Sequence, residues 1–214
     1  MIRYADIRIL TLAIILSLSY LGSATAGTYN KVLSVGDRAP AWENLEGTDG
    51  KRHSLSDLKE KDVVVVVFTC NSCPIAADYE DRIIAFAKKH AGQDSRVAVV
   101  AINVNTIPDD RLPKMKERAA KKAFPFPYLY DPSQQIARKY GAMYTPEFFV
   151  LGKDRRIVYL GAMDDKSPPA QPTVSHLETA VTAALAGKPA PTGETLGRGC
   201  RIRWNRTTTN DADE

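Results

Sequence analysis

Val63 to Val67 is an unbroken run of five valines, followed by Phe68. β-branched side chains favour extended backbone. A short apolar run with no polar alternation reads as a strand buried on both faces. Such a strand needs a covering layer on each side, which is the demand of an α/β sheet flanked by helices.

The rest of the chain supplies those layers in alternation. Cys73 to His90 reads as a helix, with Ala76, Tyr79, Ile83, Phe86 and Ala87 on one face and Pro74 in the first turn. Arg96 to Val104 is a second apolar strand. A polar helix is expected within Pro108–Ala123, starting near Pro113, and a short strand at Tyr128–Tyr130. Ser133 is placed to cap a helix that ends at Tyr140-Gly141. Phe148–Leu151 and Ile157–Leu160 flank the turn Gly152-Lys153-Asp154, so they pair antiparallel and make the sheet mixed. Val174–Ala186 is the last helix. Ahead of the valine run, Asp49-Gly50 is a turn signal between Ala41–Leu45 and Arg52–Leu58, which predicts an N-terminal hairpin.

The chain has 214 residues, 44% hydrophobic and 25% charged, which is globular composition and enough for a core without disulfide staples. The formal charge of +4 is too mild for a nucleic-acid footprint. Arg3 and Arg8, the apolar run Ile9 to Leu21 and the small-residue pattern Ala24-Thr25-Ala26 read as a signal peptide. The run falls short of the about 20 residues a spanning helix needs. The expectation is cleavage near Ala26-Gly27, export to the periplasm or outside, and no stable membrane insertion afterwards. The expected layout is a signal peptide over 1–26, a lead-in over 27–34, one domain over 35–187, a C-terminal strap over 188–204 and a disordered tail over 205–214.

The chemistry is concentrated in Phe68-Thr69-Cys70-Asn71-Ser72-Cys73-Pro74. Two cysteines three apart at a strand-to-helix junction can reach disulfide geometry. A bond closing so small a loop removes little unfolded-state entropy, so it makes a poor staple. Unpaired N–H groups and the positive end of the helix favour a thiolate there, which makes the first cysteine a nucleophile and a leaving group. Buried thiols or a structural disulfide are the plainer alternative. Zinc is disfavoured, because His53, His90 and His176 stand alone and four ligands at paired spacings are wanted. A second element, Tyr144-Thr145-Pro146, precedes the apolar strand Phe148-Phe149-Val150; proline is tolerated at strand starts in any fold.

Together these segments resemble the thioredoxin-like superfamily, and more fully its peroxiredoxin-like or redoxin branch. The matching residues are Cys70 to Pro74, Tyr140-Gly141-Ala142, Thr145 to Phe149, Asp164-Asp165, and Gly199-Cys200-Arg201-Ile202-Arg203-Trp204. The resemblance implies a thioredoxin-like fold, with Cys70 as the attacking thiol, Cys73 as the resolving one and Pro146 in cis. Thr145 and Pro146 would present backbone to a partner, whose extended segment could pair with that edge.

Some positions depart from the pattern. Thr69 stands where thioredoxins carry tryptophan, and valines occupy the strand that holds their buried acid. Asp78 and Glu80 are candidate proton acceptors for Cys70, although first-turn acids are commonly solvated. Peroxiredoxins place a proline seven and a threonine three residues before the reactive cysteine. Val63 and Val67 stand there for Cys70, and Val66 and Cys70 for Cys73.

Cys200 leaves an odd thiol, either buried and inert behind Ile202 and Trp204 or an auxiliary resolving thiol for Cys70 or Cys73. Lys114, Lys116, Arg118, Lys121 and Lys122 read as a solvated basic face. Trp42, Trp204 and Tyr128–Tyr130 read as core, and His176 as surface. Asn205-Arg206-Thr207 fits a glycosylation sequon in the tail. Copper carriers of this fold need a histidine near the strand that carries Pro146, and none stands there.

Three functions remain in order. The first is an exported thiol–disulfide oxidoreductase acting through Cys70 and Cys73 on a protein disulfide or dithiol. The second is a peroxiredoxin-like peroxidase resolved by Cys73 or Cys200 and served by an unidentified reductant. The third is a non-catalytic binding protein. No cofactor or metal is expected. A bond from Cys200 to either motif cysteine would make the simple two-cysteine scheme wrong and bring peroxide chemistry or a binding role to the front.

Overall fold

The computed structural model describes residues 27–90, 94–168 and 170–205. The expected signal peptide and the tail from 206 onward lie outside the described residues. The strands are β1 (Leu45–Gly47), β2 (Arg52–His53), β3 (Val63–Phe68), β4 (Val97–Asn103), β5 (Tyr128–Tyr130), β6 (Tyr144–Thr145), β7 (Glu147–Leu151), β8 (Ile157–Gly161) and β9 (Cys200–Arg201). The helices are α1 (Pro74–His90), α2 (Leu112–Lys122), α3 (Gln135–Tyr140) and α4 (His176–Leu185).

Among the described residues, seven strands form one mixed sheet in the order β2-β1-β5-β4-β3-β7-β8, and β6 pairs with β9 alone. β3 runs parallel to β4 and antiparallel to β7, while β7 and β8 pair antiparallel. The valine strand is central, and all six of its residues have no exposed surface. Its alternate side chains divide the interior. Val63, Val65 and Val67 pack with Tyr79, Ile83 and Phe86 of α1, Met115 of α2 and Leu177 and Val181 of α4. Val64, Val66 and Phe68 pack on the other face with Ile136 and Tyr140 of α3, Trp42, Leu55 and Ile202. At roughly 25 cal/mol per Å² of apolar surface, burial on both faces supplies the main driving force for this strand.

The hairpin is shorter than expected. Only Leu45↔His53 and Glu46↔Arg52 pair, around Gly50, whose φ of 78° suits the turn. Leu55–Leu58 is a 3-10 turn capped at its start by Ser54, whose N–H donates to Asp57 Oδ2 (2.7 Å) in a capping box. Ser133 is not the N-cap of α3; Gln134 holds that position. Ser133 Oγ still accepts from Gln135 N–H (3.3 Å), and Asp131 Oδ2 accepts from Ile136 N–H (3.0 Å). Trp204 is exposed instead of core, with the Arg138 guanidinium 4.3 Å from its ring centre. Asn205 donates its N–H to Gln134 Oε1 (2.8 Å). Among the described residues, no helix is long and apolar enough to cross a membrane.

Candidate functional site

Parallel pairing of β3 and β4 brings the loops that follow them side by side, and Thr69 N–H donates to the Ile102 carbonyl. The end of β4 therefore supplies the scaffold for the loop between the cysteines. Asp110, fully buried, accepts at Oδ1 from Asn71 N–H (2.7 Å) and Ser72 N–H (2.9 Å). Its Oδ2 accepts from Ser72 Oγ (2.6 Å) and Asn105 Nδ2 (3.1 Å). Asn103 Nδ2 donates to the Asp110 carbonyl, and Tyr128 OH donates to Asn71 Oδ1 (3.2 Å). None of these partners was anticipated from sequence. The available signal was Asn103-Val104-Asn105 and Asp109-Asp110 following a buried strand, at the sheet end where α/β folds place their sites.

Thr145 and Pro146 lie opposite the loop, joined by a cis peptide bond as the resemblance implied. Cys70 Sγ is 3.4 Å from Thr145 Oγ1 and 3.8 Å from Ser72 Oγ. Cys73 Sγ is 3.1 Å from the Thr145 carbonyl oxygen and accepts from Ala76 N–H (3.3 Å). The free N–H at the helix start thus serves Cys73.

Burial pushes the Cys70 thiol above its ordinary pKa; the Thr145 hydroxyl opposes this and the Asp110 charge adds to it. A lowered pKa at Cys70 was the expectation, and the structure corrects it. The Asn71 and Ser72 amides that would face a thiolate are already bonded to a carboxylate. Cys70 and Cys73 are both buried.

The disulfide also differs from the expected Cys70–Cys73 pair. Cys73 is bonded to Cys200, with Cα atoms 5.9 Å apart, and Cys70 is the free thiol. The reason is the strap. β9 pairs antiparallel with β6, Thr145 opposite Cys200 and Tyr144 opposite Arg201. The edge expected to be open for a partner is therefore occupied by the chain's own C-terminal segment. A Cβ on Gly199 would lie 2.0 Å from the Thr145 carbonyl oxygen, so only glycine permits this approach. Ile202 N–H donates to the Met143 carbonyl, and Arg203 N–H to Asn105 Oδ1 (3.0 Å). Gln134 Nε2 donates to the carbonyls of Val104 and Arg203. All three cysteines, with Ala76 and Ile75, pack as one cluster.

Of the two candidate acids, Asp78 is exposed, whereas Glu80 is buried and lines a small cavity with Cys70. Glu80 is committed to Arg118, whose Nε and Nη2 donate to its two oxygens at 2.7 and 2.9 Å. With Lys122 bridging to Asp81 (3.0 Å), the basic helix is partly a clamp onto α1, not a wholly solvated face. Asp164, also buried, holds Tyr79 OH (3.0 Å) and Arg82 Nη1 (2.7 Å) and fastens α1 to the loop after β8. Glu147, next to Pro146, accepts the N–H groups of Met143 and Tyr144 at Oε2. Burial pushes its carboxyl up to about 6.

A family model described as Redoxin matches residues 34–181. A solved hypothetical protein from Sinorhizobium meliloti 1021 superposes with a TM-score of 0.74 at 35% identity, covering 81% of this chain and 96% of its own. A candidate peroxiredoxin of Mycobacterium tuberculosis (strain H37Rv) is 28% identical over 114 residues, 51% of this chain. That match spans 65% of the mycobacterial protein, just under two thirds of its length. The thiol–disulfide oxidoreductase ResA of Geobacillus thermodenitrificans is 24% identical over 151 residues, 70% of this chain and 81% of its own. The fold is thioredoxin-like, with a mixed central sheet between helices.

Proposed function

The chain belongs to the redoxin family, and on that premise we propose that it is an exported thiol–disulfide oxidoreductase acting on protein disulfides or dithiols. The observation that carries this reading is the meeting of Cys70, Cys73 and Cys200 beside the cis Thr145–Pro146 bond. The Cys73–Cys200 bond sets aside the simple two-cysteine scheme. The likeness to ResA, and Val63 and Val67 where peroxiredoxins carry proline and threonine, keep oxidoreductase ahead of peroxidase. The signal-peptide reading of residues 1–26 supports export.

In the reducing direction, the Cys70 thiolate attacks a partner disulfide. One partner sulfur leaves as a thiol, and a mixed disulfide remains on Cys70. Cys73 then attacks Cys70 Sγ, releases the second partner thiol and forms a Cys70–Cys73 bond. Cys200 finally attacks Cys73 Sγ, Cys70 leaves as a thiol, and the bond becomes Cys73–Cys200. Two electrons pass from two protein thiols to the partner, and the final connectivity is the one in the structure. In the oxidising direction the same steps run backwards.

Disulfide mapping with trapped thiols, across a graded glutathione redox buffer, tests the reading. A Cys70–Cys73 species in Cys200→Ser and a Cys73–Cys200 species in the native chain are expected, both reversible. Full exchange activity in Cys70→Ser would overturn it. Oxidation of Cys70 by peroxide far faster than that of free cysteine would replace it with the peroxidase reading.

A further inference from the structure

We propose that residues 199–201 occupy the partner-docking edge as an internal stand-in for the substrate, so that the Cys73–Cys200 bond closes the site and a partner enters only when that bond is broken. The proposal rests on the oxidoreductase reading and adds to it the form of the substrate: an extended polypeptide whose reactive cysteine follows a glycine.

Three observations carry it. β9 already makes the antiparallel pairing with β6 that an extended partner would make, and it sets Cys200 opposite Thr145. Cys200 is bonded to Cys73, not to the attacking Cys70, but Thr145 opposite it touches both sulfurs, with Oγ1 3.4 Å from Cys70 Sγ and its carbonyl oxygen 3.1 Å from Cys73 Sγ. A partner cysteine in the register of Cys200 therefore lies beside the attacking thiol. The residue before Cys200 is held so near the Thr145 carbonyl oxygen that a Cβ would sit 2.0 Å from it. Any partner in the same register meets the same carbonyl. A side chain larger than hydrogen at that position forces the segment away from the edge. Backbone pairing would supply the affinity and this contact the selectivity.

The strap is positioned to return. Beyond β9 it is fastened by buried Ile202 and by Arg203 and Asn205, which bond to Asn105 and Gln134. Before β9, Thr195 N–H donates to the Leu160 carbonyl and Glu194 accepts the N–H groups of Tyr29 and Asn30. Anchored on both flanks, the strap brings Cys200 back to Cys73 once a partner has left, and the bond re-forms at high effective concentration. Opening the edge is exchange without net oxidation. Cys70 attacks Cys73 Sγ, the Cys73–Cys200 bond breaks, a Cys70–Cys73 bond forms, and the proton released by Cys70 balances the one gained by Cys200. Reduction of Cys73–Cys200 by an external dithiol opens it equally. In either case β9 loses its covalent tie and is held at the edge by its pairing with β6 and the adjoining Ile202 N–H bond to the Met143 carbonyl, for which a partner can compete.

The test uses a peptide copying residues 196–205, its cysteine activated as a mixed disulfide with thionitrobenzoate, alongside the same peptide with Gly199→Val. Release of thionitrobenzoate is followed with reduced Cys200→Ser protein and with native protein oxidised to the Cys73–Cys200 form. The glycine peptide should react at least tenfold faster than the valine peptide with Cys200→Ser. The closed native protein should react at least tenfold more slowly than Cys200→Ser with the glycine peptide. Equal rates for the two peptides, or a closed form as reactive as the open one, would overturn the proposal. 5,5′-Dithiobis(2-nitrobenzoate) separates the two readings. If Cys200→Ser exchanges with this small disulfide but ignores the peptide sequence, only the docking proposal fails. If it exchanges with neither, the oxidoreductase reading fails as well.

Discussion

Asp110 grips Ser72 twice, with Oδ1 accepting from its backbone N–H at 2.9 Å and Oδ2 from its hydroxyl at 2.6 Å. The residue between the motif cysteines is thereby pinned by a carboxylate from another loop. The same negative charge disfavours a thiolate on Cys70, beneath the larger effect of burial. Asp110→Asn removes the charge and keeps an acceptor for the loop amides. The midpoint of Cys70 alkylation by iodoacetamide should move to lower pH, at a cost of roughly 1–3 kcal/mol for the imperfectly matched hydrogen bonds. An unchanged midpoint would refute the electrostatic coupling.

Glu147 makes a pH-dependent contribution to stability. Its carboxyl is raised in the folded state to about 6 by burial, while the Met143 and Tyr144 amides oppose the shift. The folded state therefore holds this proton more tightly than the unfolded chain does. Its contribution is full below the ordinary carboxylate range and is lost as pH rises through about 6, a change of about 2 kcal/mol. Glu147→Gln should remove that slope and gain on the native protein between pH 4.5 and 7. Urea denaturation across this range reads the difference; a constant offset at every pH would contradict it.

Gly199→Ala should disengage the strap. Its new Cβ would stand 2.0 Å from the Thr145 carbonyl oxygen, a distance neither backbone tolerates. The expected outcome under mild oxidation is free Cys200, detected by alkylation and mass spectrometry. Complete Cys73–Cys200 pairing in the variant would mean that the two segments can move apart and still bond.

Arg118→Ala should destabilise the chain more than Glu80→Gln does. The first change leaves a buried carboxylate with only Lys122, at 3.6 Å, to answer it; the second leaves a partly exposed guanidinium that water can serve. Breaking a fully buried pair costs about 3–5 kcal/mol, and partial exposure of Arg118 brings the expectation to about 2 kcal/mol. Equal losses in chemical denaturation would show that the carboxylate is not the group that needs its partner.

The hydrophobic pattern of the sequence determined the frame. Five valines demanded a strand covered on both sides, and the predicted apolar face of α1 is the face that is buried. The cysteine spacing and Thr145-Pro146 marked segments that the fold brings together, because both are local signals at strand ends. The hydrogen-bond partners of those segments were decided only by the tertiary structure. Asp110 reaches the loop through parallel pairing of β3 with β4, which no local spacing encodes. The disulfide was settled in the same way. Cys70 and Cys73 are near each other in sequence, yet a separation of 127 residues closes between Cys73 and Cys200. It closes because β9 lies on the edge of β6, where a glycine lets two backbones meet and the sulfur of the next residue faces the start of α1. Periodicity records which side chains are buried; it does not record which distant segment buries them.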